Sequence, residues 1–208
     1  MARGRLPGYE DHLDTILEHA AHLFARRGYS ATTMNQVAEA CGVSKATLYH
    51  YYRDKYALLV SIADGHVSRL QTLVEEVDAN KTFSPEQRVR ELIARLVSEY
   101  AGAQDAHRVL TEDVKFLENE DRERILGKER LVVSAFAKAV VALRPDLTKA
   151  ALAKPLTMLL FGMVNWMFTW MKPGGRFDHA AMAPIVADLF LGGLPAVMPP
   201  EQVFAETD

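Results

Sequence analysis

The chain has 208 residues, 49% hydrophobic and 25% charged, and this is enough apolar material for a real core, so disorder is excluded except at the ends. The net charge of −3 excludes a protein that coats nucleic acid through a basic field. The first 60 residues carry 7 basic and 6 acidic side chains, so any nucleic acid contact must come from a small positioned surface.

Residues 1–9 form a small basic arm with no apolar segment behind it, so no secretory signal is expected. The arm reads as a frayed terminus; in a second reading Arg3 and Arg5 meet phosphate or a minor groove. A first helix is predicted from Asp11 to Arg27, buried through Leu13, Ile16, Leu17, Ala20, Ala21, Leu23 and Phe24 and ended by Gly28. His12, His19 and His22 on it do not converge at about 100° per residue, so they read as a solvated face and not a metal site.

Thr33-Met34-Asn35-Gln36 has the form of a capping box and opens a second helix. Met34, Val37, Ala38 and Cys41 recur at helical spacing, and Gly42 stands where a left-handed stop is needed. Cys41, the only cysteine, excludes an intramolecular disulfide and a cysteine-based zinc site, and reads as a buried structural thiol. Val43 plugs the interhelical angle and Ser44 caps a third helix whose Leu48 and Tyr52 face inward. Lys45, Thr47, Tyr49, His50 and Tyr51 are left outward, a donor-rich face of the kind that enters the major groove. Lys45 and Thr47 are expected at or near base edges, and Tyr49 against the backbone or a thymine methyl. Thr33, Tyr51 and Lys55 are expected to hold phosphates.

These residues resemble the TetR family of transcriptional regulators. The family phrase is carried by Thr32-Thr33, Val37-Ala38, Gly42-Val43-Ser44, Leu48-Tyr49, Tyr51-Tyr52 and Lys55, and the resemblance is specific from about Leu13 to Leu59. Relatives often have Tyr-His where this chain has His50-Tyr51, so the phosphate contact usually given by that histidine falls to Tyr51. The resemblance implies a homodimer on double-stranded DNA, in a bacterial cytoplasm, with repression as the default.

A fourth helix, capped by Asp54 and running to about Ala79, carries Leu59, Ile62, Ala63, His66, Leu70, Leu73 and Val77 at helical steps. It is too long for the DNA domain alone and is the natural lever to the rest of the chain. Ser84-Pro85-Glu86-Gln87 is a strong start signal for a fifth helix to about Ala101, buried through Val89, Leu92, Ile93, Leu96, Val97 and Tyr100. Further helices are predicted over Asp105–Leu117 and Asp121–Leu143, the latter stopped by Arg144-Pro145. The segment Leu156–Met171 is the most apolar, yet shorter than the roughly 20 residues that span a bilayer, so it reads as one buried helix with Pro155 at its start. Pro173-Gly174-Gly175 forces a turn, and Asp178 caps a last helix to Leu191. These last two helices are apolar on more than one side, which predicts a four-helix dimer interface. Residues 195–208 read as a loose tail.

The fold is therefore all-α: an N-terminal three-helix helix-turn-helix DNA-binding domain (1–55) joined by the fourth helix to a helical ligand-binding and dimerisation domain (56–208). Tyr100, His107, Phe116, Asn165, Trp166 and Trp170 suit an apolar pocket with a few polar groups, beside a plainer reading as core and interface. Met158, Met163, Met167 and Phe168 add adaptable apolar surface. The segment from Leu160 to Trp170 resembles, more weakly, TetR-type regulators of fatty-acid or aromatic-acid degradation, which implies an acyl-CoA or aryl-CoA inducer. A multidrug or other hydrophobic-compound sensor is the competing reading. No HExxH, GxSxG or Gly-rich phosphate loop is present, so no enzyme activity, metal or cofactor is expected; Glu112 and Asp113 read as solvated. A helical interaction module that binds no DNA would explain the helices but not the outward face of Lys45, Thr47, Tyr49 and Tyr51.

Overall fold

The computed structural model describes residues 9–148, 151–171 and 175–198, and for residues 9–11 and Phe168 the backbone alone. The arm with Arg3 and Arg5, Pro173-Gly174 and the tail from residue 199 onward lie outside the described residues. Ten α-helices are described: α1 (Tyr9–Arg27), α2 (Met34–Ala40), α3 (Lys45–Tyr51), α4 (Lys55–Ala79), α5 (Pro85–Gly102), α6 (Gln104–Asp113), α7 (Asn119–Leu143), α8 (Ala153–Asn165), α9 (Met167–Trp170) and α10 (His179–Gly193). Short 3-10 turns follow α6, α7 and α10. There is no strand among the described residues, so the all-α expectation holds.

Helix boundaries follow from local chemistry. The Asp54 carboxylate accepts the Ala57 amide at 2.7 Å before α4. Ser84 and Gln87 exchange a full capping box at the start of α5. Asp178 accepts the Ala181 amide at 2.8 Å to open α10. Each of these caps uses amides that have no partner inside the helix.

The chain forms two compact units. The first contains residues up to Arg69 and residues 102–128; the second contains 70–101 and the chain from Glu129 onward. The division between compact units falls within α4, after Arg69. In the first unit α6 returns to lie along α1, so Val109, Leu110 and Ile125 join Ile16, Phe24, Val37, Leu48, Leu59 and Ile62 in one buried cluster. Asp113 is carried in with them: it is buried, not solvated as its composition suggested, and burial raises its carboxyl above the usual range.

In the second unit all six α5 residues expected to be buried are buried. They pack with Phe136 and Val140 of α7, Leu160, Phe161 and Val164 of α8, and Val186 and Phe190 of α10. The apolar run after Pro155 is not one helix. α8 ends at Asn165, and after Trp166 a single turn, α9, completes it. The Trp166 carbonyl takes both the amide and the hydroxyl of Thr169, at 3.1 and 2.7 Å, and this local bonding replaces the regular ladder.

By length and composition alone, residues 179–196 would reach across a bilayer. A core helix passes the same test, and α10 buries Ala183, Val186, Ala187 and Phe190 in this unit while Asp188 pairs with Arg90 at 2.6 Å. Arg144 closes the unit's end. Its guanidinium grips Asp146 and donates to the carbonyls of Leu194, Pro195 and Val197.

Candidate nucleic-acid interface

The two short helices α2 and α3 are held at both ends by their own residues. Thr33 accepts the Gln36 amide at 3.3 Å, and the Gln36 side chain accepts the Thr33 amide at 2.9 Å, completing the capping box. Gly42 follows with φ +66°, the left-handed conformation that a side chain disfavours. Its amide bonds to Glu39 and that of Val43 to Ala38, both at 3.0 Å, which closes α2 and turns the chain. Ser44 then accepts the Thr47 amide at 3.0 Å. Cys41 is half-buried beside the turn, and burial holds its thiol pKa up, so it is a poor nucleophile.

α3 has one buried anchor, Leu48, with Tyr52 buried just after its end. Around that anchor Lys45, Thr47, Tyr49 and His50 are exposed, and Tyr51 is half-buried. The Lys45 ammonium lies 5.8 Å from the centre of the Tyr49 ring, a cation–π approach that leaves both groups at the surface. His50 and Tyr51 meet edge to face, with ring centres 5.6 Å apart. The Thr47 hydroxyl lies 2.7 Å from that of Ser44, so these two side chains form one cap at the start of α3. The Tyr49 phenol is 43% exposed on a helix whose one buried residue is Leu48.

The Lys55 ammonium donates to the carbonyls of Tyr29, Ser30 and Thr32 at 2.7, 3.2 and 2.8 Å, all within the first unit. No local spacing announces these bonds, because the partners stand 23 to 26 residues away.

The start of α4 is fixed by a second set of contacts that the sequence did not announce. The Tyr56 hydroxyl donates to Asp121 and accepts the Glu118 amide, both at 2.9 Å. Asp64 pairs with Arg124 and, at 2.8 Å, with Lys128, which also donates to Ser68. These groups tie α4 to the first turns of α7, about 60 residues away, so no local spacing could have revealed them.

The six residues expected to line a ligand pocket divide between the two units. His107 and Phe116 belong to the first unit and Tyr100, Asn165, Trp166 and Trp170 to the second. His107 is buried against His66, and Phe116 rests on Tyr29 with ring centres 5.2 Å apart. Trp166 is 67% exposed and Trp170 also faces outward, so neither lines the core of its unit. Tyr100 is buried, and burial with nearby Glu129 raises its phenol pKa. Asn165 is half-buried, yet its side-chain oxygen is sealed from solvent without a hydrogen-bond partner among the described residues. Glu112 pairs with Arg108, and the described residues contain no group of three side chains placed to hold a metal ion.

The family described as "Bacterial regulatory proteins, tetR family" matches residues 16–62, and that described as "Tetracyclin repressor-like, C-terminal domain" matches residues 82–194. The crystal structure of a TetR-family transcriptional regulator from Bordetella parapertussis is 35% identical, with a TM-score of 0.84 over 92% of this chain and 100% of that one. The HTH-type transcriptional repressor KstR2 of Mycobacterium tuberculosis is 24% identical over 86% of this chain and 90% of its own length. AibR, solved with isovaleryl coenzyme A and operator DNA, is 25% identical, with a TM-score of 0.69 over 91% of this chain and 99% of that one. Some matches are short: the one to YerO of Bacillus subtilis spans 26% of that protein. With a family match extending over more than half of its residues, the chain belongs to the TetR family of DNA-binding, helix-turn-helix transcriptional regulators.

Proposed function

We propose that the chain is a cytoplasmic, non-catalytic repressor that binds a palindromic operator as a homodimer and is released by a small hydrophobic inducer. Residues 1–55 serve as the reading head and 56–208 carry ligand binding and dimerisation. The observation that carries the reading is the exposed face of Lys45, Thr47, Tyr49 and His50, built on the buried Leu48 and capped by Ser44. Lys45 and Thr47 lie at or near base edges, Tyr49 meets the backbone or a thymine methyl, and Thr33 and Tyr51 hold phosphates. One such helix reads only a few base pairs, so two copies about 34–36 Å apart are needed for tight binding.

Dimerisation is supported by the outer sides of α8 and α10, where Met158, Leu159, Ile185 and Leu189 stand exposed with Trp166 and Trp170 nearby in sequence. For the inducer, Tyr100 and Asn165 are polar groups set among the apolar residues of the second unit. A CoA thioester is the first class to test, because AibR was solved with one. The ligand must bind the two conformations of α4 to α8 with different affinity, since tight binding alone shifts nothing.

The experiment is selection of a duplex from a randomised pool, followed by mobility shift with Lys45→Ala and Tyr49→Ala. Each folded variant is expected to lose at least tenfold in affinity; wild-type binding by both would remove the assignment. Isothermal titration with a long-chain acyl-CoA and with phenylacetyl-CoA tests the inducer class. Silence with both would leave a hydrophobic compound without the thioester.

A further inference from the structure

A lysine on a DNA-facing domain is ordinarily assigned to phosphate, but the surroundings of Lys55 do not suit that role. An ammonium has three N–H donors and no acceptor. At Lys55 three donors meet three acceptors, the carbonyls of Tyr29, Ser30 and Thr32, all within 3.2 Å. A fourth contact is the face of the Tyr29 ring, whose centre lies 4.4 Å from the nitrogen. That ring is itself held, edge to face against Phe24 at 5.3 Å.

The three carbonyls belong to the turn between α1 and α2. They precede Thr33, the cap on which α2 begins. Lys55 is the first residue of α4. One side chain therefore fastens the end of α1, the start of α2 and the start of α4, and α3 hangs between the last two through Gly42 and Tyr52. Burial lowers the ammonium's pKa somewhat, as expected for a charge turned away from water.

We propose that Lys55 is a positioning residue of the DNA-reading head, which sets the orientation of α3 by tying the 29–32 turn to α4, and that it does not neutralise a phosphate. The proposal rests on the reading of α3 as the element that contacts DNA. The two roles differ in their salt dependence. A lysine that neutralises a phosphate contributes about 0.9 to the slope of log affinity against log salt, and its removal lowers the slope accordingly. A positioning lysine lowers affinity and leaves the slope in place. Lys55→Arg also separates them: a guanidinium serves a phosphate as well as an ammonium does, but it is too large and flat for a socket whose three acceptors all lie within 3.2 Å of one nitrogen.

The test compares wild type, Lys55→Met and Lys55→Arg on the duplex that wild-type protein selects from a randomised pool, at a temperature where circular dichroism shows each to be folded. The expected result is an affinity loss on the order of tenfold or more for both variants, as losing hydrogen bonds to a charged group implies, with unchanged salt slopes. In the protein without DNA, amide exchange at residues 30–33 should quicken in Lys55→Met. A slope reduced by about one per subunit, or full binding by Lys55→Arg, overturns the proposal in favour of a phosphate contact. Undiminished affinity in both folded variants also overturns it, leaving a purely structural role. If Lys55→Met does not fold, the Lys55→Arg affinity and slope decide. Wild-type protein that enriches no duplex removes the reading head itself, and the role of Lys55 in DNA binding with it.

Discussion

His66 of α4 and His107 of α6 face each other inside the core of the first unit, with Nε2 of the first 3.3 Å from Nδ1 of the second and the rings edge to face. Arg69 lies 3.5 Å from His66 Nδ1. A guanidinium can only donate, so His66 Nδ1 accepts and its Nε2–H donates to His107. The pair is therefore held neutral.

The first prediction follows from that neutrality. Burial, with His107 and Arg69 adding, holds His66 down to about 3, and burial holds His107 down to about 4. Both histidines titrate near 6.5 in the unfolded chain. Below that pH the unfolded state binds more protons, so the contribution of the pair is whole above 6.5 and is lost as pH falls toward the folded values. Each histidine steepens the decline by up to about 1.4 kcal/mol per pH unit. Urea denaturation between pH 5 and 7.5 should show stability falling with acid in wild type, and falling less in His66→Leu/His107→Leu. Parallel curves would mean that the pair does not govern the acid limb.

The Gly42 turn gives a second prediction. A methyl group built on Gly42 would meet nothing within 4 Å, so no clash adds to the cost of substitution. What remains is the backbone, held at φ +66°. Gly42→Ala should then destabilise by roughly 1–2 kcal/mol, and Gly42→Asn by less, because asparagine enters the left-handed region more readily. Chemical denaturation checks both. Equal losses would show that side-chain contacts, and not backbone strain, decide at this position.

The same turn shows why the caps of α2 and α3 were legible in the sequence. Thr33, Gln36, Gly42 and Ser44 each bond a group three residues away, so their spacing is their geometry. The buried face of α5 was legible for the same reason, since a helix repeats its own period. What stayed hidden acts over distance. The bonds of Lys55 to Tyr29, Ser30 and Thr32 span 23 to 26 residues. The contact of His107 with His66 spans 41. The break at Trp166 was missed because no proline or glycine marks it; a threonine hydroxyl three residues on makes it instead.

A third prediction concerns Arg144. Its guanidinium takes both oxygens of Asp146, at 2.9 and 2.6 Å, and reaches three carbonyls in the turn after α10. The fixed fork of the guanidinium serves these acceptors together, which a lysine cannot do. Arg144→Lys should leave the helices intact while residues 194–198 loosen, read as faster amide exchange confined to that segment and the last turn of α10. Unchanged exchange there would show that the turn is held by the burial of Leu194 alone.

The last prediction tests the dimer through the outward side of α10. Leu189 is 67% exposed although its helix neighbours Val186 and Phe190 are buried, and Ile185 one turn earlier is exposed with it. Such a pair on a helix already packed on its other side is stable in water only at a cost, which a second copy of the chain would remove by covering it. Leu189→Glu places a carboxylate where the proposed interface would bury it, and the two-fold-related copy brings another into the same interface, so desolvation and like-charge repulsion act together. Light scattering coupled to gel filtration should report a dimer for wild type and a monomer for Leu189→Glu at micromolar concentration. Affinity for the selected duplex should fall in parallel, by on the order of a hundredfold, because a single head contributes only half of the contacts. Leu189→Ala, which shortens the side chain without adding charge, should weaken the dimer less than Leu189→Glu does. A variant that is monomeric yet binds the duplex as tightly as wild type would separate assembly from DNA recognition and remove the need for two correctly spaced copies.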